Sequence, residues 1–481
     1  MFSLMAALAL TIFPGPEASK GDAPFAQRGY YITFMRMPTY DLAGWERIVD
    51  GVRDDGGNTL FLWVAGGFRS HKYPITWKYN EDHENVRRDF VRSLIDHAHA
   101  KGIKVLLGFT PFGYDGANQY ALEHPELRAV GKDGKPSAPF GIGCWGVNLC
   151  PSRPESQRFM LDYVREMAFD FYPNADGLMI ESSDYAICHC DDCGERFFEK
   201  EFQFVRRISE EVWARKPDAT VVVYPHYFSG ADVPGFGVKA AKLPFDPRWS
   251  LMFTPHSAHP EPSLIQQARA SFWSDDSPAR RGPLDIQANA QRARREGMTG
   301  YVPSLEAFTF VASVAEEGQP WLKGQRQVPL GLGWLRPGDP PYDELPVRVN
   351  RVAFREFSRN PDLPLERFRE ILGREVFGSA SARQAVDDLL DIQSVFNSGR
   401  TWCQPSPTTC PERVRAMAAQ GELTNATRAE IRAALDRVRA IAARNQKPTT
   451  DGERELRRIA IWVLDRWGEN DRKLLEAKPP L

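Results

Sequence analysis

The chain has no large excess of charge of either sign. Its 481 residues include 61 Lys and Arg against 63 Asp and Glu, which gives a formal net charge of -2. Nucleic-acid-binding proteins usually carry a basic excess, so the composition argues weakly against that class. No apolar run reaches the roughly 20 residues of a membrane-spanning helix, so we expect no membrane span. No Gly-x-Gly-x-x-Gly follows the first predicted strand, so a dinucleotide-binding fold has no support.

The first residues contain a short apolar run, Phe2 to Phe13, followed by Pro14, Gly15 and Pro16. This order fits the apolar region and cleavage zone of a secretory signal, although no Lys or Arg precedes it. We therefore predict a signal or N-terminal segment over residues 1–24 and a secreted or periplasmic protein. A buried N-terminal segment is the alternative.

Cysteine is scarce, and its number is odd. The chain has seven, so at least one thiol is either unpaired or a metal ligand. In an exported protein, Cys403 and Cys410 would close the Pro-rich loop between them as a disulfide bond.

Three further cysteines, Cys188, Cys190 and Cys193, lie within six residues of one another. Zinc would require a fourth ligand, and the sequence offers Cys144, Cys150 or His189. A disulfide bond from Cys150 to one of the three competes with zinc. Both alternatives give the cluster a structural role. We expect it to hold in place the loop that carries Asp184.

Short apolar runs alternate with amphipathic stretches over the first two thirds of the chain. This alternation is typical of parallel βαβ units, and eight units in some 300 residues favour an α/β fold of the (β/α)8 barrel type. Beyond residue 345 the periodicity is helical. We predict a barrel over 25–344 and a helical C-terminal domain over 345–481. The predicted strands lie within 29–37, 58–67, 103–114, 175–185, 219–228, 248–259, 297–308 and 327–339.

In such a barrel the active site lies at the C-terminal ends of the strands. Glu181 directly follows the apolar "GLMI" of the fourth predicted strand, and Glu306 ends the seventh. Two carboxyl groups at the mouth of a barrel are the minimal machinery of glycoside hydrolysis. Partial burial favours the protonated form that a general acid needs, so Glu181 is predicted as the acid and Glu306 as nucleophile or base. Asp184 either assists Glu181 or caps the following turn.

Other polar and aromatic residues at strand ends are candidates for substrate binding. A cationic cluster at the first two strands would suit an anionic sugar, such as a uronic acid or a sulfated unit. Indole rings offer flat apolar faces on which sugars stack, although core packing is the usual role of a single Trp. The predicted substrate-binding residues are Arg36, Trp63, Tyr185, His226, His256 and Trp334.

Two alternatives remain open at this point. One is a non-catalytic carbohydrate-binding barrel with a misplaced carboxylate pair. The other is a metal-dependent hydrolase that uses His226, His256 and Asp184, although neither histidine is part of a His-x-His or His-x-x-x-His pair.

Three stretches, "NLCPSRPESQRFMLDYV", "ADGLMIESSDYAICHCDDC" and "FREFSRNPDLPLERFREILGREVFG", resemble glycoside hydrolases of the alpha-glucuronidase and hexosaminidase-like barrels. The resemblance covers most of residues 29–380, but the motifs are loose. It is greatest to bacterial proteins with a cysteine-rich loop after the fourth strand and a helical domain after the barrel. The resemblance implies an acid at Glu181 and an oligo- or polysaccharide substrate. Hexosaminidases of this type carry an adjacent Asp-Glu pair, whereas Ile180 precedes Glu181 here, which weakens the expectation of substrate-assisted chemistry on N-acetyl sugars.

Overall fold

A closed barrel of eight parallel strands forms the centre of the computed structural model. The strands are β1 (Gln27–Thr33), β2 (Thr59–Trp63), β3 (Lys104–Phe109), β4 (Gly177–Ile180), β5 (Thr220–Val223), β6 (Trp249–Phe253), β7 (Ser271–Trp273) and β8 (Gly300–Tyr301). Each pairs with the next in the chain, and β8 pairs with β1. This arrangement confirms the predicted (β/α)8 barrel. The described residues are 24–34, 41–78, 81, 84–114, 116–138, 147–182, 187–194, 196–230, 232–233, 238–239, 241–255, 261–275, 282–305, 309–313, 325–329, 345–397 and 411–477.

Alternate residues of each strand face the inside of the barrel, as the two-residue period of a strand requires. Phe61 on β2 and Phe272 on β7 meet edge to face across the interior, with ring centroids 5.2 Å apart. The strand register extends this pattern to the C-terminal ends of the strands. The inward positions at that end are Thr33, Trp63, Thr110, Glu181, Tyr224, Thr254, Ser274 and Ser304.

The last two predicted strands require a correction. Ser271–Trp273 is the seventh strand, which the sequence prediction missed, and the strand predicted within 297–308 is the eighth. The strand predicted within 327–339 is not in the barrel. Its described part belongs to Gln325–Pro329, which pairs antiparallel with Thr309–Ser313. Three residues are too few to show a period in the sequence, whereas the apolar run that begins at residue 327 has a strand pattern but its described part pairs outside the barrel.

Helices cover the outside of the barrel, as buried parallel strands require. Their apolar faces pack on the strands, and none of the described helices is both long and apolar enough to cross a membrane. Around the barrel they are α1 (Leu42–Asp54), α2 (Ile75–Lys78), α3 (Glu84–Arg87), α4 (Val91–Ala100), α5 (Ala117–Glu123), α6 (Pro154–Arg165), α7 (Phe197–Arg215), α8 (Pro262–Gln267) and α9 (Pro283–Arg295).

A helical region follows the barrel, as predicted. It comprises α10 (Leu345–Arg359), α11 (Leu365–Phe377), α12 (Arg383–Asn397), α13 (Pro411–Ala419), α14 (Asn425–Arg444), α15 (Asp451–Arg466) and α16 (Glu469–Glu476).

Helix α10 joins this region to the barrel. Its Phe354 ring lies 4.4 Å from that of Tyr30 on β1 and 5.7 Å from that of Tyr301 on β8. Arg351 forms an ion pair of 2.7 Å with Asp55, which also accepts a hydrogen bond from Tyr30. Barrel and helices therefore share one continuous core, and the domain boundary near residue 344 stays a prediction.

Candidate functional site

Glu181 is the first residue after β4 and lies at the mouth of the barrel. Its backbone N–H donates to Phe109 of β3 (3.0 Å), which continues the strand pairing by one residue and fixes the inward direction of its side chain. Tyr31 Oη donates to Glu181 Oε2 at 2.9 Å, and Tyr224 Oη donates to Oε1 at 3.1 Å. Among the described residues, Glu181 is the one carboxylate at an inward strand-end position.

The two tyrosines come from different strands. Tyr31 is on β1, and Tyr224 directly follows β5, in the same position after its strand as Glu181 after β4. Charge-assisted hydrogen bonds of this kind stabilise a carboxylate. The arrangement therefore holds each oxygen of Glu181 in place and favours its negatively charged form.

A second layer lies next to this carboxylate. Tyr227, in the turn after β5, is fully buried and lies beside Ser182, the neighbour of Glu181. Burial raises the pKa of Tyr227 well above its ordinary value, and the nearby carboxylates of Glu201 and Glu181 add to this effect. Tyr227 thus remains a neutral phenol at ordinary pH.

Among the described residues, three buried polar groups near the same mouth have no hydrogen-bond partner. They are the hydroxyls of Thr33 and Thr110 and the indole N–H of Trp63. Thr33 and Trp63 are register partners on β1 and β2, and Thr110 follows β3. An unpartnered buried polar group costs about 1–3 kcal/mol. Because these atoms have almost no accessible surface, they form part of the floor beneath the mouth rather than its substrate-facing lining.

Trp63 is less open than a sugar-stacking platform requires. Its side chain is 1% exposed, and its ring lies 5.5 Å from Tyr114 and 6.3 Å from Tyr31, measured between centroids. The aromatic group forms part of the floor of the site. Neither the face nor the N–H of Trp63 is open to a substrate in this structure.

The loop after β3 carries backbone strain beside this floor. Phe112 and Tyr114 both have φ near 62°, a conformation that bulky residues rarely adopt. Leu149 N–H donates to Phe112 C=O at 2.7 Å, and Phe112 packs on Phe204 of α7. Such strain persists only where surrounding contacts impose it, and it clusters at ligand-binding sites.

The cationic residues after β2 do not line the inside of the mouth. Arg69 lies over the Trp77 ring, 4.7 Å from its centroid, and the loop carrying His71 is anchored by Glu166, which accepts the His71 backbone N–H at 2.7 Å. Glu166 follows α6 in the outer helical layer. These residues therefore belong to the rim, as solvated cations usually do.

Most of the remaining predicted site residues lie outside the described part of the chain. His226 is in the described turn Pro225–Tyr227, but its side chain is not among those described. The roles predicted for them stay predictions. The residues outside are Arg36, Asp184, Tyr185, His256, Glu306 and Trp334.

The sequence prediction missed Tyr31 and Tyr224 as partners of Glu181. For Tyr224 a signal existed, because it follows "TVVV" as Glu181 follows "GLMI". Tyr31 gave none, because only closure of the barrel brings β1 within reach of the residue after β4.

The cysteine cluster lies on the loop that continues from Glu181. The Sγ atoms of Cys150, Cys188, Cys190 and Cys193 all lie within 4.8 Å of one another, and all four cysteines are free. The predicted disulfide bond from Cys150 to this group is therefore absent from the structure. Cys150 Sγ lies within hydrogen-bonding distance of the sulfurs of Cys190 and Cys193, and Val130 N–H donates to Cys188 Sγ at 3.3 Å. Cys144, Cys403 and Cys410 lie outside the described residues.

Comparison with known proteins gives distant structural likenesses only. No family model matches the chain, and no curated protein matches it. A GH138 enzyme targeting pectin rhamnogalacturonan II is 13% identical with a TM-score of 0.49, and the match covers 94% of this chain and 57% of that chain. The chain thus spans little more than half the length of that enzyme.

Two further structures are similar at the same level. A mutant O-GlcNAc hydrolase of Thermobaculum terrenum is 10% identical with a TM-score of 0.46, covering 94% of this chain and 87% of that chain. The Flavobacterium johnsoniae chitobiase is 11% identical with a TM-score of 0.42, covering 94% and 74%. Likenesses this distant do not bear on the activity of the chain, and the alpha-glucuronidase resemblance stays a prediction.

Proposed function

We propose that the chain is a glycoside hydrolase, with Glu181 as one of its two catalytic carboxyl groups. The observation that carries the proposal is the position of Glu181: an inward carboxylate at the end of β4, held by Tyr31 and Tyr224. The C-terminal face is where barrels of this type perform chemistry. A fixed carboxylate there suits one member of the carboxyl pair that glycoside hydrolysis requires.

The hydrogen bonds favour one of the two roles open to a carboxyl group in glycoside hydrolysis. Two phenolic donors stabilise the ionised form of Glu181, which suits a nucleophile or base better than a proton donor. We therefore assign Glu181 the role of nucleophile or base. This differs from the general-acid role that the sequence suggested, because the sequence did not reveal the two donors.

The proton donor in this proposal is Glu306, with Asp184 as the alternative. Both assignments rest on the sequence, since neither residue is described. Glu306 follows Leu305, whose backbone N–H donates to Tyr31 C=O at 3.0 Å. Leu305, the residue before Glu306, is therefore hydrogen-bonded to β1, the strand that carries Tyr31.

A neutral sugar suits the described part of the mouth better than an anionic one. None of the described inward residues at the strand ends is a cation, and Arg69 lies on the rim over the Trp77 ring. An anionic substrate would depend on Arg36, outside the described residues. We also propose that the enzyme releases sugar from a polysaccharide outside the cytoplasm. This location agrees with the predicted export signal.

A screen of the purified protein against aryl glycosides tests the function. Neutral, uronic-acid and N-acetyl sugars are compared, and we expect turnover of at least one neutral glycoside. Glu181→Ala should abolish it, and added azide or formate should restore part of the turnover by replacing the missing carboxylate. Binding of oligosaccharide without turnover of any glycoside would instead support the non-catalytic carbohydrate-binding barrel.

A further inference from the structure

Four sulfur atoms converge where the segment before α6 meets the segment after β4. Cys150 Sγ lies 3.7 Å from Cys190 Sγ and 3.6 Å from Cys193 Sγ. A disulfide bond would place two sulfurs about 2.05 Å apart. A tetrahedral zinc ion with Zn–S bonds of about 2.3 Å separates its sulfurs by about 3.8 Å. We propose that Cys150, Cys188, Cys190 and Cys193 form a tetrathiolate zinc site.

The local backbone is shaped to present these sulfurs. The N–H groups of Cys193 and Gly194 both donate to Cys190 C=O, at 3.0 and 2.8 Å, and close a tight turn. Gly194 has φ near 50°, which glycine adopts without strain. The turn brings the two cysteines of Cys190-x-x-Cys193 onto one side, as the halves of structural zinc sites do.

Two of the sulfurs also have hydrogen-bonding neighbours outside the cluster. Val130 N–H points at Cys188 Sγ at 3.3 Å, and Ser152 Oγ lies 3.0 Å from Cys193 Sγ. Hydrogen bonds to the sulfurs stabilise thiolate charge and fix the orientation of metal ligands. A group of buried cysteines that served only as small apolar residues would have no need of such donors.

Cys150 is the ligand that gives the site its structural effect. It precedes α6, and its N–H donates to Leu127 C=O at 2.7 Å, so it belongs to the segment between β3 and α6. The other three cysteines follow β4. Zinc would therefore join two loops at the mouth, and four thiolates leave it no open position for substrate, so its role would be structural.

Metal analysis of the purified full chain tests this site. The wild type should carry about one zinc ion per chain, whereas Cys150→Ser and Cys188→Ser should retain less than about a tenth of it. Cys144→Ser is the matched control, because it removes the neighbouring cysteine and should keep the zinc. Full zinc in Cys150→Ser, or iron in place of zinc in the wild type, would overturn the proposal.

A second measurement covers variants that fail to fold. Cobalt substituted into the wild-type chain should give the intense visible absorption of a tetrahedral thiolate site. Alkylation after denaturation with a chelator should label all four cysteines. Disulfide bonds among them, detected as unlabelled pairs by mass spectrometry, would contradict the zinc site without affecting the assignment of Glu181.

Discussion

Tyr31 on β1 donates a hydrogen bond of 2.9 Å to Glu181 at the end of β4, and so joins two strands that are not neighbours in the sheet. The contact exists because both side chains point into the closed barrel. It couples the orientation of the proposed catalytic carboxylate to a residue 150 positions earlier in the chain. The ionised form of Glu181 is therefore stabilised by a contact that exists only in the closed barrel.

Removing this donor should weaken catalysis and change its pH dependence. Tyr31→Phe removes a hydrogen bond to a charged group, which is worth about 1.5–3 kcal/mol, so kcat/KM should fall about 10- to 100-fold. The ionised carboxylate loses stabilisation, so the acidic limb of the pH–rate profile should move to higher pH. Tyr30→Phe is the control, since Tyr30 points outward to Asp55 and should leave the profile unchanged.

The unpartnered hydroxyl of Thr110 should contribute nothing favourable to stability. In Thr110→Val the free energy of unfolding should stay the same or increase, because no hydrogen bond to a described residue is lost. Thr76→Val is the contrasting variant. The Thr76 hydroxyl donates to Tyr73 C=O at 2.7 Å, so its removal should lower the free energy of unfolding by about 1 kcal/mol. Equal losses of stability in the two variants, measured by urea unfolding, would contradict the difference between the two hydroxyls.

Glu201 on α7 should destabilise the protein increasingly as the pH rises. Burial raises its pKa well above the ordinary value, and neither carboxyl oxygen has a hydrogen-bond partner in the part of the chain that the structure describes. The folded chain then binds a proton that the unfolded chain releases, so stability falls above the ordinary Glu pKa with a slope of up to about 1.4 kcal/mol per pH unit. Glu201→Gln should remove this slope between pH 5 and 8, as measured by urea unfolding.

Glu211 provides a control of opposite sign. A hydrogen bond from Arg165 lowers the pKa of Glu211, so its contribution to stability is present above the ordinary Glu pKa and is lost as the pH falls. Glu211→Gln should therefore lower stability at neutral pH and have little effect in acid. Equal pH dependence in the two variants would contradict the assignment of Glu201 as a buried neutral acid.

The ion pair between Arg351 and Asp55 should hold the helical region to the barrel. Arg351→Met leaves the Asp55 carboxylate buried without its cation, which costs about 3–5 kcal/mol. Adding Asp55→Asn should recover much of that loss. Calorimetry should show a single transition in all three proteins, because barrel and helices share one core; two separate transitions would contradict the shared core.

The sequence predicted the parts of this architecture that depend on local pattern. Glu181 could be located because four apolar residues precede it and no charge interrupts them. Ser271–Trp273 could not, because so short a strand has no period of its own and is defined by its neighbours β6 and β8. The helical character of the region after residue 345 was readable from its periodicity.

The contacts within the site depend on closure of the barrel and could not be predicted from the sequence. Nothing local indicates that Tyr31 reaches Glu181, because the contact spans the barrel. For the cysteine cluster, the sequence left Cys144, Cys150 and His189 open as the fourth member. Cys150 joins the cluster because the loop after β3 returns beside the loop after β4, which no spacing rule predicts.

The turnover of Glu181→Gln tests the central claim most directly. On the glycoside that the wild type hydrolyses, kcat should fall about 10²- to 10⁴-fold, since an amide neither attacks nor transfers a proton. The near-isosteric change should leave the unfolding transition almost unmoved, which excludes misfolding as the cause. A kcat within about a factor of two of the wild type, in a folded variant, would contradict the assignment of Glu181 as a catalytic carboxylate.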